Sequence, residues 1–419
     1  MDKILTKRIQ TQLSSYFSTI TAMSKPETRC LKNMVLGILK SKSVFVNQIA
    51  ASLRECLKLK DVYKRLSSQY LKEDYATKVI GAHLENVKDS ISKDNFILMD
   101  GTDISKKHAK YMEGLEFVKN GDTGKIGLGY NVLNINAINT YKEITPLYNK
   151  AYSYEMGALS SNNEIKKAVR AVKSHIDNKG CWVFDRGADT GILKDFFISE
   201  CSKVIIRLKR NTKLSYKDKA YKVSQLVPKT PFLVTQTVTK IKKDKPILRL
   251  YELGAIPICY TVKGITYPLW LVVSRDKKHG GLCYLLVKSK LTTAIEVAKW
   301  AFEGYGLRWK IEEYHRHIKE EYKLEDVQLK TFNGLQSMLA ILTVAMYIIY
   351  KKIRTLHFSL LLDAGYNYLN KQIVGELTNF IYYKISKVVS ILLMPTRIRW
   401  NVSESTNAEG SPQLKFVFN

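Results

Sequence analysis

The sequence predicts an α/β chain of the mixed α+β kind: a mixed sheet flanked by helices, carrying a β-rich insertion, with helical N- and C-terminal regions. Three observations carry this reading. The short apolar runs FILM, ending on Asp100, and CWVF, ending on Asp185, have the length and composition of buried strands. Helix-period runs alternate with them, as in NNEIKKAVRAVKSHIDNKG (162–180). Residues 209–290 turn to Thr, Val, Tyr and Lys in strand-like alternation, as in FLVTQTVTKIKK and YPLWLVVSRD.

Residues 1–90 read as a helical unit. Within it 31–71 parses as three short helices, with breaks near Ser41–Ser43 and Leu57–Lys60, and the last carries Lys58, Lys60, Lys64 and Arg65. That size and charge suit a helix-turn-helix-like DNA-binding domain and equally a helical cap on the next domain. A mixed sheet flanked by helices is expected over 91–208. Its strands are FILMD (96–100), KIGLGYNVLNINAINT (125–140), the stretch around Ile144–Tyr154, CWVFD (181–185) and KVIIRL (203–208). A helix over 162–180 is stopped by Gly180, and DTGILKDFFIS (189–199) is a second. The β-rich insertion spans 209–290, helix resumes over 291–330, and 331–419 is a helical region ending in a polar tail from 395.

Lys plus Arg number 67 against 38 Asp plus Glu, a net charge of +29, while 45% hydrophobic and 11% aromatic residues make a folded chain. A folded chain this basic calls for a polyanionic partner, nucleic acid first and an anionic membrane surface second. MDKILTKRIQTQL lacks the apolar core and cleavage site of a secretory leader, and the longest apolar run, Met338–Tyr350, is too short to cross a bilayer and reads as a buried helix. Six scattered cysteines with no CxxC spacing argue against zinc and disulfides. The expectation is a cytoplasmic protein without a membrane partner.

A carboxylate at the end of a buried strand needs a partner, and Asp100 and Asp185 both stand there. Brought together with Glu312 of a later helix they would repel unless they bound protons or a cation. Hard oxygen donors suit Mg²⁺ or Mn²⁺, and two such ions serve phosphodiester cleavage. The separate alternatives are a polar turn of Asp100 with Thr102 and Asp103, and a helix cap by Asp185 near Asp189. Asp103 is second choice because an extended strand turns it to the opposite face.

YGLRWKIEEYHRHIKEEYKLE (305–325) reads as one amphipathic helix. Leu307, Ile311, Tyr314 and Ile318 form its core stripe, and Tyr305, Arg308, Glu312, His315 and Lys319 form a second stripe beside it. The phase puts Glu313 with Trp309, Arg316 and Glu320, so Glu312 is preferred. His315 reads as a phosphate contact and His317 as a surface residue. Ion pairs on a solvated face, such as Arg308–Glu312, are the plain alternative.

Tyr305, Arg308, Glu312 and Lys319 resemble the Y-(2)-R-(3)-E-(6)-K signature of the IS4-type DDE transposases. Asp100 in LMDGTD and Asp185 in FDRGAD resemble that family's two catalytic aspartates, and Gly187 departs from the acidic residue of the DREAD form. The resemblance spans about 95–330. It implies an RNase H-like core with an insertion domain, and two Mg²⁺ or Mn²⁺ ions held by Asp100, Asp185 and Glu312. It implies cleavage of double-stranded DNA at terminal inverted repeats to a 3′-OH, then hairpin formation or strand transfer into target DNA, in a homodimeric synaptic complex. Tyr305, Arg308 and Lys319 would contact phosphates, and Tyr284 would stack a flipped base, with Trp270 as its alternative. A host nuclease on the same core and a DNA-binding protein with an idle site are the competing readings.

Overall fold

A computed structural model describes residues 2–106, 108–121, 123–242, 245–360 and 381–396. Helices α1 (Asp2–Ser18), α2 (Lys25–Ser41), α3 (Val46–Ser52), α4 (Leu59–Tyr70) and α5 (Tyr75–Val87) come first. Strands β1 (Phe96–Ser105), β2 (Glu116–Lys119), β3 (Ile126–Ile138) and β4 (Ile144–Tyr152) follow. Next are α6 (Ser161–Ile176), β5 (Cys181–Phe184), α7 (Gly191–Glu200) and β6 (Val204–Arg207). The insertion comprises β7 (Lys213–Tyr216), β8 (Lys219–Lys222), α8 (Val223–Leu226), β9 (Phe232–Lys242), β10 (Lys245–Val262), β11 (Ile265–Asp276) and β12 (Leu282–Lys288). The chain continues through α9 (Ala294–Gly306), α10 (Trp309–Glu320), α11 (Phe332–Tyr347) and α12 (Ile381–Leu393).

The strands of residues 91–208, β2 aside, lie in the order β4-β3-β1-β5-β6. β1 is antiparallel to β3 and parallel to β5, which is parallel to β6. β5 and β6 are short and almost wholly apolar because helices cover parallel strands on both faces. Gly180 turns the chain into β5 at a φ of +75°, with Ile97 and the Asn95 carbonyl so close that a Cβ would collide with them.

The strands of the β-rich insertion extend this sheet. β12 pairs antiparallel with β6, β11 with β12, and β10 with β11, so one 12-stranded sheet runs through both. This long-range pairing leaves no mark on the alternation within each strand.

α11 is apolar on every side and buried nearly throughout, as such a helix must be in water. It packs on β4 on one side and on α2 and α5 on the other, so the N-terminal helices are joined to the sheet through it. Together with the following turn it reaches Lys352, which makes it long and apolar enough to cross a bilayer, but 89% of that apolar stretch is buried inside the fold. The three short helices expected over 31–71 are α2, α3 and α4. The helical reading of 331–394 holds for the described parts, while 361–380 and the tail beyond 396 lie outside the described residues.

Because Ile341 is fully buried at the centre of α11, Ile341→Ala is expected to cost about 2–5 kcal/mol in urea unfolding. Hydrogen exchange should then show α2, α5 and β4 losing protection together; loss confined to α11 would contradict its joining role.

Candidate active site

Asp100 stands on β1 beside the end of β5, where the first residues of the two strands are paired in parallel. Asp185 follows β5 directly. Its strand end is held by Phe184, whose ring stacks on Phe197 of α7 with centroids 3.7 Å apart. The Asp185 carboxylate caps the short turn Arg186–Ala188 by accepting from the Gly187 amide at 2.7 Å. A Cβ at position 187 would meet that carboxylate oxygen at 2.9 Å, so glycine gives Asp185 its room. α7 itself is capped by Thr190.

The expected single helix over 305–325 is broken. α9 ends at Gly306 and α10 begins at Trp309, with Arg308 in the joint. The core stripe is as expected, with Leu307, Ile311, Tyr314 and Ile318 all buried. The second stripe is not continuous, because Tyr305 belongs to the preceding helix. There its hydroxyl accepts from Arg207 at 3.2 Å, and the guanidinium of Arg207 lies over its ring.

Arg308 links the carboxylates. It donates to Asp100 at 2.7 Å and through its other nitrogen to Glu312. Burial pushes the Asp100 carboxyl up to about 6; Arg308 opposes this, and the nearby charges of Asp185 and Glu312 add to it. Asp100, Asp185 and Glu312 therefore share one electrostatic neighbourhood. Among the described residues no three or more acidic, histidine or cysteine side chains are grouped closely enough to hold a metal ion. The donor set still fits a hard divalent cation. It consists of carboxylate oxygens alone, carries an excess of negative charge around Asp100, and already draws in a positive group.

Several expected contacts differ in the structure. His315 is buried, its Nε2 makes no hydrogen bond, and burial pushes its ring down to about 3, so it offers a phosphate neither access nor charge. His317 is fully buried rather than on the surface. Its ring joins Tyr350 and Ser386, each at 3.0 Å, and so ties α10 to α12. Lys319 is mostly buried and pairs with Asp103 at 3.4 Å and Glu325 at 3.1 Å, which fastens α10 to β1. Asp103, on the face opposite Asp100, also accepts from the Gly121 amide. Tyr284 is packed in the core with only 7% exposed, too little for a base to stack upon; Trp270 is half-buried. Lys64 is exposed on α4, whereas Arg65 is held in two hydrogen bonds by Glu55.

Sequence reasoning missed Asp189 and Arg207. Asp189 is buried and accepts from Lys194 at 2.6 Å, from the Lys209 amide at 2.6 Å and from Thr212. It thereby ties the Asp185 turn to the start of the insertion. Its position in FDRGAD is the only signal for it. Arg207 lines a cleft of about 600 Å³ with Arg186, Lys209, Arg210, Cys283 and Tyr284. Four cations in one cleft adjoining Asp185 suit an anionic strand.

A family model described as a transposase DDE domain matches residues 91–348, from just before β1 through the end of α11. No curated protein matches the chain.

The pH dependence of stability tests the site's electrostatics. The folded Asp100 carboxyl holds its proton up to about 6 against an ordinary value of 3.8, so the folded state binds more protons between those values. Wild type should then lose stability relative to Asp100→Asn as pH rises through that window, on the order of 3 kcal/mol in urea unfolding. The difference should level off above it. A difference that is constant from pH 4 to 8, or that shrinks, would contradict the assignment.

Proposed function

The chain belongs to the transposases with a DDE domain, and from that premise we propose that Asp100, Asp185 and Glu312 are its catalytic carboxylates, acting on the ends of an IS4-type insertion sequence. The observation that carries this reading is that the charges of Asp185, just past the end of β5, and of Glu312 act on Asp100, midway along β1, with Arg308 joining Asp100 to Glu312. The family acts on DNA and uses divalent metal ions.

Asp100, Asp185 and Glu312 would hold Mg²⁺ or Mn²⁺, in two sites, and the ions would supply Lewis acidity to the attacking and leaving oxygens. β1 and β5 fix the two aspartates from a rigid sheet, and α10 brings in Glu312, which is exposed and held by Arg308. Water attacks phosphorus, the P–O3′ bond breaks and a 3′-OH is left. That hydroxyl then attacks the opposite strand, giving a hairpin, or the target DNA. Tyr305, Arg207 and Arg308 face the phosphates, together with the cationic cleft next to Asp185. Lys319 acts by holding α10 on β1. The exposed lysines of α4 would contribute to binding the terminal inverted repeats, and synapsis of two ends would bring together two copies of the chain.

On linear DNA carrying the gene's own flanks, wild type should make defined cuts in Mg²⁺ or Mn²⁺ and none in Ca²⁺ or EDTA. Glu312→Gln should lower the cleavage rate at least about a hundredfold while leaving DNA affinity within a few-fold. Equal cleavage by the variant would overturn the assignment. With a net charge of +29, affinity should also fall steeply with salt, with a log–log slope of about −0.9 per phosphate neutralised; a flat dependence would contradict phosphate-driven binding.

A further inference from the structure

Both partners of Arg308 are proposed metal ligands. One guanidinium donates to Asp100 at 2.7 Å and to Glu312, and it also feels the charge of Asp185. A guanidinium cannot be deprotonated, so it presents a permanent positive charge where a divalent ion would sit. The two cations repel one another, and each carboxylate oxygen given to Arg308 is withheld from a metal.

The two arms are unequal. The Asp100 arm joins side chains about one-fifth exposed, while Glu312 is 56% exposed. Water screens the outer arm, so it is the weaker one. Arg308 also sits in the joint between α9 and α10 rather than inside either helix. Next to it stands Tyr305, held by Arg207, which opens onto the cationic cleft beside Asp185. A phosphate lying there would offer the guanidinium a bidentate partner in place of the carboxylates.

We propose that Arg308 is an internal cation that competes with divalent metal for Asp100 and Glu312 and is drawn off by a DNA phosphate, so that metal loading and DNA engagement are coupled through this one side chain. The proposal rests on the reading of Asp100, Asp185 and Glu312 as metal ligands. Coupling of this kind is reciprocal: DNA raises metal affinity by the factor by which metal raises DNA affinity.

The test measures Mn²⁺ binding by electron paramagnetic resonance without DNA, for wild type, Arg308→Ala, Arg308→Gln and Asp185→Asn. Removing the guanidinium should tighten Mn²⁺ binding about tenfold in both Arg308 variants, within the usual range of coupling between sites. In parallel, Ca²⁺ should strengthen wild-type binding to a duplex copied from the gene's flank, and this enhancement should vanish in Arg308→Ala and Arg308→Gln. Unchanged or weaker Mn²⁺ binding in both Arg308 variants, with Asp185→Asn abolishing binding, would overturn the coupling and leave the site standing. A Ca²⁺ enhancement that persists in both variants would also overturn it. Mn²⁺ binding indifferent to Asp185→Asn would overturn the carboxylate site itself.

Discussion

Gathering carboxylates at the end of a buried sheet costs free energy, since each loses water and all repel. In this chain the opposing charge comes from Arg308, placed between Asp100 and Glu312. The rest of the site follows from that constraint. Asp100 sits within β1 and Asp185 directly after β5, whereas Glu312 stands near the start of α10 and pairs with the guanidinium. Lys319 repeats the device one layer away, where Asp103 and Glu325 share its charge and α10 is fastened to β1.

Around this centre the fold supplies stiffness. His317 is buried between α10 and α12, with both ring nitrogens in hydrogen bonds, so the back of the Glu312 helix is tied to Ser386 and Tyr350. Asp189 does the same for the other side, joining the Asp185 turn to Lys194, Lys209 and Thr212. α11 lies beneath, buried against β4 and the N-terminal helices. The insertion is continuous with the catalytic sheet through β6 and β12, which places its basic cleft next to Asp185 without a hinge between them.

Local features were legible in the sequence. Short apolar runs before Asp100 and Asp185 identified the two strands, but β1 does not stop at Asp100 as expected: it runs on to Ser105, because its pairing with β3 continues past the apolar run. The phase of 307–318 identified the buried stripe of α10 and favoured Glu312 over Glu313, which pairs instead with Lys310. What was not legible depends on partners distant in the chain. His317 looked like a surface residue because its hydrogen-bond partner Ser386 lies on another helix. His315 fell on the charged stripe by phase, yet the fold covers it. The break at Leu307–Arg308 was hidden by a helical period that continues across it. Tyr284 followed a strand pattern that says nothing of which face the sheet extension covers. Arg207 could be found only after β6 had been brought against the end of α9.

The most direct test of the carboxylate site is an anomalous difference map from crystals of the wild-type chain grown with Mn²⁺ and duplex DNA from the gene's flank. The expected result is Mn²⁺ density beside Asp100, Asp185 and Glu312, with Arg308 on a phosphate. Mn²⁺ bound elsewhere, with Arg308 still spanning Asp100 and Glu312 beside the DNA, would contradict it.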